Sequence, residues 1–377
     1  MKRKPAVLLL SLIACTGCGD GTDDQYGSGA GPGAIELAIT DTVGVELGDS
    51  CYVFGYLADA ARTDSIIYAL DMSRSQLRKY TPDGEWAGFI GGRGDGPGEL
   101  VMPHWLALLP DGSILIQDIT DLGLYSPDGG WTGHVLTHSG NWPSMHTPLG
   151  NGTFAISWHE FLREPEHILR RFIASYDLQG AKITEYLADS IRVPAPPEEN
   201  TDAINRFLFS HYMAGDLDGN LYIVTRHSPD YRIVCYGPDA SPFDTLSLDV
   251  PVVERTAEEI GLVKRYTEEY LRGMGTSNVM EWVYEPDPFK PPISGIWLGW
   301  GGNLWVLRGN TEVPEFDVWS VPEGELLYTA RLDLELPPTQ FLTFYIAPWC
   351  RDFLAVHEDE SMVQRLLLID ASYPEGD

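Results

Sequence analysis

Two histidine–aromatic pairs stand at equivalent places in the sequence. His104-Trp105 begins the segment "HWLALLPDG", and His211-Tyr212 begins the segment "HYMAGDLDG". In both segments the histidine lies seven residues before the aspartate of an Asp-Gly turn. Because the two contexts match, we interpret the four residues as candidate ligand-binding residues.

The same histidines are candidate metal ligands. His146 lies near the equivalent place of a third segment, two positions out of register with His104 and His211. Three neutral imidazoles can form a zinc site that keeps one position open for water or substrate. Calcium would need converging carboxylates and amides, for which Asp216 is the single candidate near the second pair. Two other interpretations stay open: histidines that hydrogen-bond to a neighbouring loop, and ring pairs that pack between sheets.

The sequence contains no complete catalytic motif. It has no Gly-x-Ser-x-Gly, His-Glu-x-x-His, phosphate-loop or Cys-x-x-Cys pattern. His159-Glu160 lacks a second histidine at zinc-helix spacing, and its charged surroundings, "WHEFLREPEH", predict a loop or short helix. Arg93-Gly94-Asp95 spells an adhesion tripeptide, but it lies inside a glycine-rich connector. We therefore expect binding rather than catalysis.

The elements that would position these residues are repeated β-strands. Six short runs each open with a polar or glycine turn pair and continue with aliphatic and aromatic residues of high strand propensity. The steps between their first residues are 47, 40, 67, 83 and 50 residues, and the short steps suit one four-stranded propeller blade of about 40 to 50 residues. The runs are "DSIIYALD", "DGSILIQD", "NGTFAISW", "DGNLYIVT", "GGNLWVLR" and "RDFLAVHE".

Each run is followed by a partner segment with a common pattern. A strand ends near an aromatic residue or a valine, a turn like Pro-Asp-Gly follows, and another strand begins, as in "LRKYTPDGEWAGFI" and "LGLYSPDGGWTGHV". One unit is therefore predicted as four antiparallel strands, counted from an inner to an outer strand. About six units would form a ring, the all-β architecture of a six-bladed β-propeller. A β-sandwich would not predict a repeated unit of this length.

The connector "GGRGDGPGEL", at 91–100, lies between the outer strand of one unit and the inner strand of the next. Its glycines permit the sharp turns that this path requires. Together with the following proline and "LALLPDGSILIQD", the connector resembles the NHL repeat, and the resemblance is strong over 64–118. The region 35–377 looks like the six-bladed, NHL-like propellers of bacterial lipoproteins.

This resemblance implies where a ligand would bind. Inner strands of a propeller line its central channel, so His104, His146 and His211 would face the channel mouth. The peptide-amidating lyase that NHL repeats resemble holds zinc there through histidines, and lactonase propellers hold calcium. Zinc or calcium are therefore the possible cofactors of an alternative function, a metal-dependent hydrolase or lyase at the same mouth.

The N-terminus resembles a bacterial lipoprotein signal. Lys2, Arg3 and Lys4 precede the apolar stretch "AVLLLSLIA", which is too short for a mature transmembrane helix. The stretch ends at Cys15, which the resemblance implies is the lipidated residue, and Cys18 is the alternative. We predict a signal peptide at 1–14 and a flexible, glycine-rich tether at 15–34.

Two insertions interrupt the predicted repeats. A proline-rich loop is predicted at 190–205. The second insertion, at about 252–292, contains the helix "TAEEIGLVKRYTEEYLRGMG", which Thr256 and Glu259 begin as a capping box. Its apolar side is predicted from the helical spacing of Ile260, Val263, Tyr266 and Tyr270. The helix either packs over the rim of the ring or serves as a lid or partner-binding element.

Charge and cysteines restrict the class of partner. With 25 basic and 55 acidic residues, the formal net charge of −30 disfavours nucleic acid and anionic lipid. Cys51, Cys235 and Cys350 give no disulfide framework, although Cys51 and Cys350 would meet if the ring closes. We expect a monomeric lipoprotein of the cell envelope that faces the periplasm, anchored in the outer membrane. Its role would be a binding or scaffold module for an envelope protein, a peptide or a carbohydrate.

Overall fold

A computed structural model describes residues 32–119, 121–137, 142–162, 168–192, 211–273, 286–334 and 341–374. The described chain is mostly β-strand, and every one of the six repeated runs forms a strand. Among the described residues, no helix is both long enough and apolar enough to cross a membrane. The predicted signal peptide and both lipidation candidates lie outside the described residues.

The chain divides into two compact units. The first unit contains the described residues of 72–76 and 90–292, and the second contains those of 32–71, 77–89 and 293–374. Apart from the N-terminal strand, each unit is built from antiparallel sheets in which strands that follow one another in sequence are neighbours in space. This strand order is the order of a propeller blade.

The first unit holds three four-stranded sheets and one helix. Its strands are β6 (Trp105–Leu108), β7 (Ile114–Gln117), β8 (Asp121–Tyr125) and β9 (Trp131–Thr137); β10 (Trp142–Leu149), β11 (Thr153–Leu162), β12 (Ile168–Asp177) and β13 (Lys182–Arg192); and β14 (His211–Gly215), β15 (Leu221–Thr225), β16 (Tyr231–Tyr236) and β17 (Pro242–Leu248). The helix α1 spans Ala257–Gly273. The three sheets pack side by side through their first strands, since β10 contacts both β6 and β14.

Two glycines allow β10 and β14 to approach closely. The Gly150 N–H donates to the carbonyl of Asp216 at 3.0 Å, and the Gly215 N–H donates to Thr147 Oγ1 at 2.9 Å. A Cβ atom on Gly150 would lie 1.6 Å from the carbonyl oxygen of Leu217, so no other residue fits there. This contact brings the sheet β14–β17 against the sheet β10–β13, with Met213, Ile173 and Leu221 in the apolar layer between them.

The second unit holds a four-stranded sheet and an eight-stranded sheet. The first comprises β2 (Leu57–Arg62), β3 (Ile67–Asp71), β4 (Gln76–Tyr80) and β5 (Trp86–Gly91). The second runs in the order β18 (Ile293–Leu298), β19 (Leu304–Arg308), β20 (Glu315–Trp319), β21 (Leu326–Leu332), β1 (Gly33–Val43), β24 (Gln364–Ser372), β23 (Phe353–Glu358) and β22 (Phe341–Tyr345). The N-terminal strand β1 is parallel to β21 and antiparallel to β24.

The connector at 91–100 joins the last strand of one sheet, β5, to the first strand of the next, β6, as its composition predicts. The Leu100 N–H donates to the carbonyl of Gly92 at 2.8 Å, and the Gly96 N–H donates to the Glu99 carboxylate at 2.8 Å. A Cβ atom on Gly94 would lie 2.0 Å from that carboxylate. The glycines therefore leave room for the Glu99 side chain to fold back over the turn.

Three local predictions have clear outcomes. The capping box of α1 is formed, with the Thr256 N–H 2.7 Å from Glu259 Oε2 and the Glu259 N–H 3.2 Å from Thr256 Oγ1. The loop or short helix predicted around His159 is wrong, because β11 continues to Leu162 and pairs with β12 along its whole length. The first residues of the predicted proline-rich loop, 190–192, belong to β13, which extends to Arg192, and the predicted loop from 193 to 205 lies outside the described residues.

The cysteines outside the N-terminal segment are thiols. Cys51, Cys235 and Cys350 form no disulfide bond in the described part of the chain. Burial raises the pKa of Cys350 to about 11 and that of Cys235 to about 12. Both thiols are therefore protonated at neutral pH, which suits residues that pack in a core rather than react.

Candidate functional site

His104 lies immediately before β6. Its backbone N–H donates to the carbonyl of Gln117 at 3.0 Å, and its ring Nδ1 lies 3.2 Å from the carbonyl oxygen of Met102. Burial lowers the pKa of His104, while the Met102 carbonyl and the Asp118 charge act in the opposite direction. The imidazole is thus neutral at pH 7 and hydrogen-bonded to its own connector.

Trp105 and His146 come together across two neighbouring sheets. Trp105 is the first residue of β6, and His146 lies inside β10 and is only 5 % exposed. Their rings stack, with centroids 3.9 Å apart and planes 24° apart. Trp105 also borders the apolar layer that contains Phe154 and Ile156. The stack therefore joins the sheet β6–β9 to the sheet β10–β13.

His211 and Tyr212 are the first two residues of β14. His211 pairs with Thr225, the last residue of β15, so the segment that follows β15 lies beside the start of β14. Burial is the main cause that lowers the pKa of His211 to about 3, and the positive charge of Arg171 is the next largest. His211 is therefore a neutral imidazole that can donate one hydrogen bond and accept another.

Two residues that directly follow β15 lie near the start of β14. The Arg226 guanidinium lies over the Tyr212 ring, with Cζ 4.3 Å from the centroid, a cation–π arrangement. His227 Nδ1 lies 2.7 Å from a carboxylate oxygen of Asp287. Asp287 reaches His227 from 60 residues further along the chain.

The neighbouring sheet contributes a further charged pair. Arg171 of β12 is opposite Asp189 of β13, and their closest atoms are 3.7 Å apart. Arg171 is largely buried, whereas Asp189 is 62 % exposed. Arg171, Asp189, Arg226 and His227 all act electrostatically on His211. We name this set the β14 cluster: Arg171, Asp189, His211, Tyr212, Arg226, His227 and Asp287.

The β14 cluster contains both hydrogen-bond donors and acceptors, and its positive and negative charges balance. Its two guanidinium groups are matched by two carboxylates, and its imidazoles and phenol can act in both senses. An aromatic face beside such groups is suited to a polar, uncharged ligand or to a ligand with charges of both signs. The predicted residues His211 and Tyr212 belong to the cluster, while Trp105 and His146 form the separate stack.

Sequence reasoning missed five of the seven members. Arg226 and His227 carry one available signal, since they follow directly after the repeated run "DGNLYIVT". Arg171 and Asp189 lie on neighbouring strands, and strand alternation alone does not predict their meeting. Asp287 lies in the second insertion, where no spacing rule relates it to His227.

The structure provides no ligand geometry for a metal. No group of three or more His, Cys, Asp or Glu side chains within the described ranges could hold a metal ion. The zinc site of His104, His146 and His211 therefore stays a prediction. Asp216, the calcium candidate, stabilises the β14–β15 turn instead, because it accepts hydrogen bonds from the Asn220 N–H at 2.8 Å and the Tyr222 hydroxyl at 2.7 Å.

Comparison with known proteins gives similarity at low identity. No protein-family model matches the chain, and no curated protein matches it. A candidate exported protein from Bacteroides fragilis is 13 % identical with a TM-score of 0.49, covering 90 % of this chain and 99 % of that chain. A candidate gluconolactonase is 12 % identical with a TM-score of 0.45, covering 90 % and 94 %. An inactive virginiamycin B lyase from Staphylococcus aureus is 12 % identical with a TM-score of 0.41, covering 85 % and 83 %.

Proposed function

We propose that this chain is a lipid-anchored β-propeller of the cell envelope that acts as a binding module. Its ligand, a protein, a peptide or a sugar, binds at the β14 cluster. The observation that carries this proposal is the grouping of His211 and Tyr212 with Arg171, Arg226 and His227 at one end of two packed sheets.

The strand order supports a propeller of six blades. Four sheets have four consecutive strands each. The eight-stranded sheet changes from antiparallel to parallel pairing only where β21 meets β1. On either side of that contact lie four strands, β18–β21 and β22–β24 with β1. We therefore count this sheet as the fifth and sixth blades, with β1 as the outer strand of the sixth.

Charge pairing in the cluster supports binding over catalysis. His227 is bonded to Asp287, Arg171 lies next to Asp189, and Arg226 lies on Tyr212. Paired groups of this kind hold fixed orientations, which lowers the ordering cost of binding. Such pairs suit a ligand that is bound without being chemically changed. We propose that the protein acts as a monomer that faces the periplasm and does not bind nucleic acid.

A binding screen with a matched pair of variants tests this function. The full chain, purified in detergent, is titrated against arrays of defined oligosaccharides and peptides. Replacing Tyr212 and Arg226 together by alanine should weaken binding at least about tenfold, as loss of an aromatic–arginine anchor at the centre of a binding site does. The control replaces Phe172 and Arg170, whose cation–π contact has a similar distance of 4.5 Å.

Each outcome of the binding screen either supports or contradicts the proposed function. Binding that is lost in the Tyr212/Arg226 variant and kept in the Phe172/Arg170 variant supports the proposal. Equal affinity in both variants places the ligand elsewhere, and an absence of binding to every probe contradicts a role in recognition of sugars or peptides. Elemental analysis of the same preparations, with His104→Ala/His211→Ala as control, tests the zinc or calcium site.

A further inference from the structure

We infer that the Asp287–His227 pair is a hydrogen-bonding site for a hydroxyl group of the ligand, and that the ligand is a neutral carbohydrate. This inference rests on the proposed binding function and narrows its ligand from three classes to one. Neither His227 nor Asp287 belongs to the residues that the repeat pattern indicates. The second insertion therefore supplies part of the site rather than a structural cover alone.

The geometry leaves one ring nitrogen of His227 for the ligand. The short contact of 2.7 Å between Nδ1 and Asp287 assigns a proton to Nδ1, since a carboxylate accepts hydrogen bonds. Nε2 is shielded from solvent and has no hydrogen-bond partner among the residues that the structure describes. A shielded polar atom without a partner is unfavourable, so a ligand hydroxyl group that displaces the atoms covering Nε2 gains a hydrogen bond there. The ring as a whole reaches the surface, with 30 % of its side chain exposed.

The surrounding charges select a hydroxyl group. The charges of Asp189 and Asp287 offset those of Arg171 and Arg226, so the cluster provides no net attraction to compensate for removing water from a single charged group on the ligand. A hydroxyl group carries no charge and can both donate and accept. It therefore pairs with Nε2 whether the imidazole is neutral or protonated. Further hydroxyl groups of a sugar can be shared between the guanidinium and carboxylate groups of the cluster.

The 3.7 Å gap between Arg171 and Asp189 fits the same ligand. At this separation Arg171 and Asp189 attract each other as an ion pair, although their closest atoms lie beyond hydrogen-bond distance. A hydroxyl group can accept from Arg171 and donate to Asp189 at once. Tyr212 adds an aromatic ring, which is the apolar surface that the C–H face of a sugar packs against.

The second insertion holds Asp287 in place. The Arg255 N–H donates to the carbonyl of Pro288 at 2.8 Å, and the Lys290 N–H donates to the carbonyl of Val253 at 2.8 Å. The buried Lys290 Nζ lies 2.9 Å from the buried Glu259 carboxylate at the start of α1. The helix start and the segment that carries Asp287 are thus tied by three polar contacts. Such support orients the His227 ring in advance, as partners of a binding histidine do.

Calorimetric titration with named sugars tests this inference. The probes are neutral hexose oligosaccharides, the matching uronic acids and amino sugars, and deoxy analogues that lack one hydroxyl group at a time. The neutral sugar should bind best, and His227→Ala should weaken it at least about tenfold. One deoxy analogue should show the same loss with the wild-type chain and no additional loss with His227→Ala, which identifies the hydroxyl that Nε2 binds.

Two further variants keep the result interpretable. Asp287→Asn should also weaken the sugar, because it removes the carboxylate that fixes the Nδ1 proton. His134→Ala is the matched control, since His134 also lies near an aspartate, 3.6 Å from Asp121, and its exposed side chain is outside the cluster. If His227→Ala lowers the unfolding temperature, His227→Gln is used in its place.

The inference and the proposed function fail in different ways. Binding of a peptide or an acidic sugar that depends on Tyr212 and Arg226 but not on His227 overturns the inference and leaves the binding function. Neutral-sugar binding that is equal in wild type, His227→Ala and Asp287→Asn also overturns it. An absence of binding to every sugar and peptide probe overturns both.

Discussion

Burial of individual histidine side chains keeps them neutral in this protein. His211 begins a strand whose neighbours are packed on two sides, so its imidazole loses water that would solvate a positive charge. Arg171 acts in the same direction, because it is a fixed cation nearby. His104 reaches the same neutral state by burial, although Asp118 opposes the shift. Histidine is therefore present here as a neutral hydrogen-bonding group.

The lowered pKa of His211 predicts an acid-sensitive fold. In the unfolded chain the imidazole takes up a proton near pH 6.5, whereas in the folded chain its pKa is about 3. The unfolded state thus binds more protons between these values, and the free energy of unfolding should fall as the pH drops through this window, by at most about 1.4 kcal/mol per pH unit. Denaturant titrations from pH 7 to pH 4 measure the slope.

His211→Gln should reduce that slope and leave stability at pH 7 within about 2 kcal/mol of the wild type. His134→Gln is the control, because the same substitution is made at a histidine whose side chain is 55 % exposed. A slope that is identical in wild type and His211→Gln would contradict a neutral, buried His211.

An aspartate recurs at the end of the second strand in two of the four-stranded sheets. Asp118, at the end of β7, accepts hydrogen bonds from the N–H groups of Val101 and Met102, both at 2.6 Å. Asp71, the last residue of β3, likewise accepts from the N–H of Gly55 at 3.0 Å. In each case, an aspartate at the end of the second strand of a sheet binds the connector that leads into the first strand of the same sheet. These carboxylates accept hydrogen bonds from backbone N–H groups of the connectors, and the negative charge strengthens each bond.

Removing this aspartate should destabilise the fold. Asp118→Ala leaves the two N–H groups of the connector without their acceptor, and we expect a loss of about 3 kcal/mol, because hydrogen bonds to charged groups contribute about 1.5 to 3 kcal/mol each. The midpoint of denaturant unfolding, followed by tryptophan fluorescence, measures the loss. Asp111→Ala is the control, since Asp111 is exposed and bonds only within its turn. Equal midpoints for the two variants would show that Asp118 does not hold the connector.

At the scale of the whole chain, the N-terminal strand and the acidic balance bear on location. β1 pairs with β24 near the C-terminus, so the start of the folded region is fixed within the second unit. A net charge of −30 keeps such a chain away from anionic surfaces. A covalent lipid would supply the membrane affinity that the charge opposes.

Lipid attachment is the prediction that belongs to this scale. When the full chain is expressed in a bacterium with labelled palmitate, label should enter the protein, and Cys15→Ser should abolish the labelling. Cys18→Ser is the matched control and should retain it. The reverse pattern would assign the lipid to Cys18, and an unlabelled wild-type chain would contradict the lipoprotein interpretation.

Local pattern alone determined the strands, the turns and the helix start. The run "DGSILIQD" forms a strand because its β-branched and aliphatic residues suit a buried sheet, and a two-residue turn fixes its beginning. The capping box of Thr256 and Glu259 forms because its groups are three residues apart. Such features depend on neighbours in sequence, so the amino-acid order is sufficient to predict them.

Only the tertiary structure decided which side chains meet. The Trp105–His146 stack, the continuation of β11 past His159 and the His227–Asp287 pair all join residues from different strands or segments. Contacts of this kind depend on how closely chain segments approach one another, as Gly150 and Gly215 allow between β10 and β14 by lacking a Cβ atom. Packing distance and register are properties of the folded chain, because they arise from the sum of many weak contacts rather than from any short pattern.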